Sequence, residues 1–180
     1  MIGSNEGLSN ILSYSKNGLI VTSYENDYIS QGVAFQIHRR IPIGASATVK
    51  VVFDYSALVD KGIFTLPIMA KTNCCQCYLN TYKIETYTGG SELPSINRNG
   101  VSSNIAECVV KIGVTSADIA GDDLREYIVG ALSTRQNSGG GSISGESPKI
   151  FESGDIIMFE IINQENDAVD FELNFNWYEV

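Results

Sequence analysis

Histidine is nearly missing from this chain: His38 is the only one. Metal sites built from two imidazoles are therefore excluded, and any nucleophile-base-acid triad that uses histidine would have to recruit this residue. His38 sits beside Arg39 and Arg40 on the polar side of an alternating stretch. An exposed or interface role suits it there better than that of a positioned base. Charge is also scarce, at 18% of residues, and it is unbalanced, with 12 basic against 21 acidic side chains and a formal charge of −9. Such a surface disfavours non-specific contact with nucleic acid or anionic membrane. No apolar run is long enough for a membrane-spanning helix. The start, Met1 to Glu6, lacks the basic-then-apolar order of a signal peptide, so the expected site of synthesis and retention is a cytoplasm.

Cysteine is limited to Cys74, Cys75, Cys77 and Cys108. Three thiols crowded into one short stretch suit a reduced compartment better than a disulfide framework. Zinc ligands come as pairs with a second pair elsewhere, and only Cys108 remains to supply one. In a strand Cys75 and Cys77 share a face while Cys74 points away, so small buried side chains are the expectation. Ser138 to Gly145 has the glycine content of a phosphate cradle without its Lys-Ser/Thr, and reads as a flexible loop. Asp122-Asp123 and the Glu165/Asp167 turn do not match a calcium loop. No metal, no cofactor and no enzymatic activity are expected.

What the chain does have is 43% hydrophobic residues, 17 glycines and nine tyrosines. At 180 residues it fits one domain with a substantial core. The final run is the clearest pattern. Phe171, Leu173, Phe175 and Trp177 alternate with Glu172, Asn174 and Asn176, a period of two that gives one buried and one wet face. Ile156 to Ile162 is apolar at nearly every position and reads as a central strand. The Asn163–Asp167 connection suggests that these two strands pair as a hairpin.

Upstream, residues 1–18 are polar and read as an N-terminal arm or flexible lead-in, with 19–180 as a single domain. Strands are expected at 18–22, at 33–41 stopping at Pro42, at 47–54 with Val49, Val51 and Phe53 inward, and at 63–70 with Phe64, Leu66 and Ile68 inward. Pro67 marks an edge or a bulge. An extended run from Cys74 to Tyr87 is broken by Gly89-Gly90, and a polar loop covers 91–104. Cys108, Val110, Ile112 and Val114 share one face of a further strand. Ser116 to Glu126 has room for a single helical turn capped by Ser116, and 127–132 is the next strand. The sum is an all-β, antiparallel, jelly-roll-like β-sandwich of about eight or nine strands with at most one short helical turn.

Three stretches carry a family resemblance. Tyr87-Thr88-Gly89-Gly90-Ser91-Glu92-Leu93-Pro94-Ser95-Ile96-Asn97-Arg98-Asn99 resembles the "tGGteltpyNrNR" stretch of a group of tailed-phage virion proteins. Asn163 to Asp167 with Asn174-Phe175-Asn176-Trp177-Tyr178-Glu179 is similar to that group's ending, "NedggandvslnleWyE". Ile29-Ser30-Gln31-Gly32-Val33-Ala34-Phe35 resembles its "IHsGkaF" run. The resemblance implies a head decoration, or cement, protein: a small sandwich without enzymatic activity, bound on the capsid exterior between subunits of the major capsid protein of the same phage. It implies assembly in the host cytoplasm, a homotrimer, and no nucleic-acid or membrane partner. Asn97, Arg98 and Asn99, with Arg39 and Arg40, are the expected capsid or subunit contacts, although the two asparagines could equally shape a local turn. The alternative is a glycan- or receptor-binding sandwich of a phage fibre or tail, in which Tyr78, Tyr82 and Tyr87 would stack on sugar rings.

Overall fold

A computed structural model describes residues 10–15, 18–58, 63–65, 69–72, 77–120, 125–129, 149–152 and 154–180. In chain order the strands are β1 (Asn10–Ser15), β2 (Gly18–Ser23), β3 (Ala34–Ile43), β4 (Thr48–Asp54), β5 (Ile63–Thr65), β6 (Met69–Thr72), β7 (Cys77–Leu93), β8 (Ile96–Asn97), β9 (Val109–Ile119), β10 (Arg125–Val129), β11 (Lys149–Phe151), β12 (Ile156–Asn163) and β13 (Val169–Glu179). A helix, α1 (Tyr24–Gln31), lies between β2 and β3. The all-β antiparallel sandwich expected from the alternation is what forms, with thirteen strands among the described residues rather than eight or nine. The excess comes from short pieces that sequence patterning runs together or leaves as loop. One is the strand expected at 63–70, divided into β5 and β6; another is β8, with two residues. Asn10–Ser15, expected within the lead-in, pairs with β2 as a hairpin.

One sheet runs β11-β5-β13-β3-β8, with β6 also on β13. β13 is its spine, paired with β3 from Val169↔Ile43 to Tyr178↔Ala34. Phe171, Leu173, Phe175 and Trp177 are all buried, as their alternation predicts. On its other side β13 meets β5 and β6 in registers that differ by one residue. Pro67, expected at an edge or a bulge, lies outside the described residues. Ile63 and Thr65 of β5 are buried; the side chains expected inward here, Phe64, Leu66 and Ile68, lie outside the described ones. Pro42 does not end its strand: β3 continues to Ile43. It can do so because β3 meets no described strand on its far side beyond Gln36, so no ladder bond needs the missing N–H.

The other sheet runs β10-β7-β12-β4-β9, and β7 pairs with β9 as well. The pairings β7–β12–β4–β9–β7 thus close on themselves. This closure explains why β12 is apolar on both faces. Ile157, Phe159 and Ile161 point into the core between the sheets, while Met158 points into a second cluster with Val52, Tyr82, Ile84 and Val114 inside the ring. The expected β12–β13 hairpin is corrected accordingly. The two strands belong to different sheets and meet across the sandwich, with Phe159 and Phe175 edge to face at 5.3 Å. Between them, Asn163 donates its amide to the carbonyls of Gly44 and Asp167, each at 2.8 Å, and fixes the crossing.

Two further expectations change. Gly89-Gly90 does not break β7. Both glycines hold positive φ (74° and 87°), and a register shift against β9 lies at Thr88/Gly89, so the strand bends over the ring and continues to Leu93. Ser116 to Ile119 is strand rather than the start of a helical turn, because pairing with β7 satisfies the same backbone groups that a Ser cap would. The helix is instead α1. Glu25 and Asp27 occupy its first turn, and Gln31 donates to Asp27 at 2.6 Å. Gly32, at φ 71°, ends it: the Gly32 N–H bonds to the Ile29 carbonyl and the Val33 N–H to the Tyr28 carbonyl, a Schellman closure.

Candidate contact face

Parts of the three stretches that carry the resemblance lie far apart in sequence and meet at one junction. Its centre is the carbonyl oxygen of Gly32. That oxygen accepts from the Asn97 amide at 2.9 Å and from the Asn104 amide at 3.2 Å. The Asn97 amide also reaches the Asn104 carbonyl at 3.0 Å, and its Oδ1 accepts from the Asn99 N–H at 2.9 Å. Asn99 repeats the device, accepting from the Val101 N–H and donating to the Ser30 carbonyl. Asn side chains bond their own backbone two residues on, so this loop is shaped by its asparagines. They also clasp it to the end of α1.

Arg98 lies between them. Its backbone N–H donates to Ala34 at 2.9 Å. Its guanidinium pairs with Glu25 at 2.7 Å and donates to the Tyr178 hydroxyl at 3.4 Å, and the side chain is only 22% exposed. The Tyr178 ring packs on Tyr28 at 5.0 Å. Burial raises the Tyr178 pKa, and Glu25 adds to the effect while Arg98 opposes it.

Next to Tyr178, Glu179 is buried with its carboxylate fully engaged. Oε1 accepts from the Cys108 N–H and the Trp177 indole N–H, and Oε2 from the Glu107 N–H, each at 3.0 Å. A buried charge holding three donors is stable, whereas the same group without them is costly. The terminal Trp-Tyr-Glu therefore ties the spine strand to both ends of the 98–108 loop. A cleft of about 240 Å³ opens beside it, lined by Gly32, Val33, Phe35, Asn104, Ile105, Glu107 and Glu179.

The other expected contacts, Arg39 and Arg40, lie on β3, away from this loop along the strand. Arg40 pairs with Asp170, and His38 Nε2 lies 2.6 Å from Glu172 Oε1. Both are diagonal cross-strand pairs on an exposed face. The pairing holds the Asp170 carboxyl below its ordinary pKa. Arg39 has the parity of buried Ile37 and Ile41 yet is exposed. A charge at such a position on a partly unpaired strand blunts edge-to-edge association.

The tyrosines of the glycan alternative do not make a platform. Tyr82 is 8% exposed within the second cluster, and its hydroxyl donates to Glu160. Tyr87 is half-buried beneath Lys111, 5.3 Å from its centroid, and donates to Asp54 at 2.8 Å. Tyr78 is half-buried as well. Cys77 and Cys108 are buried, and burial pushes the Cys108 thiol well above the usual range. Cys74, Cys75, Asp122, Asp123 and Ser138 to Gly145 lie outside the described residues. Among the described residues, no group of three or more His, Cys, Asp or Glu is placed to hold a metal ion, and no helix is long and apolar enough to cross a membrane.

Sequence reasoning missed Asn104 and Glu179 as parts of the junction. Asn104 falls in a polar loop with no periodicity. Glu179 is a lone acid at the end of an apolar strand, and that was its signal: an inward-facing carboxylate needs donors. No family model matches this chain, and no curated protein matches it.

Proposed function

We propose that this chain is a head decoration protein of a tailed phage, a cement that binds the capsid exterior between major capsid subunits as a homotrimer and stabilises the shell without catalysing a reaction. The observation that carries the reading is the junction. Of the three stretches that resemble the decoration group (29–35, 87–99, and 163–167 with 174–179), the parts 29–35, 97–99 and 177–179 build one clasp around Gly32, Arg98 and Glu179. The clasp fixes a loop on a sandwich scaffold. Such a scaffold suits a protein whose work is to touch neighbours. Repetition about a three-fold axis would add the avidity that weak single contacts lack. The half-buried and buried tyrosines give the glycan reading no comparable support.

The test is sedimentation of the purified chain with capsids of the phage that encodes it, together with its native mass by light scattering. Saturable co-sedimentation and a trimer of the 19.6 kDa chain are expected. A protein left in the supernatant at every capsid concentration would sink the proposal.

A further inference from the structure

The 96–105 loop does more than hold the fold together. Among the described residues five large hydrophobics are exposed, and three of them lie in this loop: Ile96 at 53%, Val101 at 95% and Ile105 at 85%. The backbone around them is fixed. The Val101 N–H is held by Asn99 Oδ1, the Ser102 N–H by the Asn99 carbonyl, and the Asn104 N–H by Ser102 Oγ. Gly32 leaves no slack on the opposite side, since a Cβ there would fall 2.3 Å from Ser102 Oγ. A loop that spends its polar groups on its own shape while leaving Val101 and Ile105 in water is pre-organised to bury them elsewhere, because little ordering entropy remains to be lost on binding.

We infer that Val101 and Ile105 are the anchors of the capsid contact, inserting into an apolar pocket of a partner protein surface that carries net positive charge; this rests on the decoration reading above. The sign follows from the surroundings. α1 and the loop through Glu107 carry Glu25, Asp27 and Glu107 against the single cation Arg98, itself paired with Glu25. The whole chain carries −9. A second copy at this patch would bring the same charges and be repelled, so the occupant is a partner of opposite sign and the trimer contact lies elsewhere. The Asn97-Arg98-Asn99 run then positions the contact rather than making it, since its side chains are engaged within the chain.

The experiment compares wild type, the double variant V101S/I105S and the control I119S in co-sedimentation with the phage's capsids. Ile119 is 50% exposed at the end of β9, outside the loop. All three proteins are expected to melt at the same temperature. V101S/I105S should bind at least about tenfold more weakly than wild type, while I119S binds unchanged. If wild type binds and V101S/I105S binds equally well, this inference is overturned and the decoration reading stands. If wild type fails to bind, both fall. The association rate of wild type should also drop as salt is raised; a rate that is flat or rises contradicts the basic partner.

Discussion

Asn97 and Gly32 are 65 residues apart in sequence and joined by a 2.9 Å hydrogen bond from the asparagine amide to the glycine carbonyl. That bond makes the helix end and the exposed loop one unit. Asn97→Ala removes two donated bonds and the acceptor for the Asn99 N–H. Urea unfolding should show a loss of about 1–3 kcal/mol. Hydrogen exchange should rise first at Asn99 and Val101. A variant as stable as wild type would mean that the loop is held by other contacts.

Gly32 and Gly100 offer a paired test. Gly32→Ala combines positive φ with a clash against Ser102, and about 1–3 kcal/mol of stability should be lost. Gly100 has open space around a would-be Cβ, so Gly100→Ala should stay within about 0.5 kcal/mol of wild type. Equal effects at the two sites would contradict the Schellman closure.

Glu179→Ala should be among the most damaging single changes in the described chain. It leaves the Glu107 and Cys108 N–H groups and the Trp177 indole N–H without their acceptor. A cost on the order of 3 kcal/mol is expected from thermal or urea unfolding. Trp177 fluorescence should report the disturbance directly.

Alkaline pH should destabilise the protein through its buried phenols. Tyr87 is pushed up to about 12, first by burial and then by the Asp54 carboxylate, and Tyr55 and Tyr178 are raised as well, chiefly by burial. An acid whose folded pKa lies above its unfolded value, about 10 for tyrosine, keeps its proton only in the folded state. Its stabilising contribution is complete below pH ~10 and is lost as pH rises toward the folded pKa. Melting temperature should therefore fall steadily above that point, and Tyr87→Phe should fall less steeply. A flat profile would place these hydroxyls in water.

How much of this was legible in the sequence differs from element to element. The alternation of Phe171, Leu173, Phe175 and Trp177 predicted their burial, because a period of two assigns faces. It could not assign neighbours, and so the expected β12–β13 hairpin became a crossing between sheets. The doubly apolar β12 pointed to a central strand, yet the second cluster around Met158 depends on a ring closed by β7 and β9, which are long-range pairings with no local signal. The helix at Tyr24–Gln31 was not expected. Glu25, Asp27 and Gly32 are start and stop marks, but a helix of eight residues lies below the length at which periodicity speaks. At the junction, the asparagines announced turns; their grip on Gly32 and Ser30 is tertiary.

The most direct test of the decoration reading is the heat resistance of the phage's capsids, measured by light scattering with and without saturating protein. A rise in the temperature at which the shells open, scaling with the amount bound, is the predicted result. Shells that open at the same temperature with the protein bound or absent would contradict it.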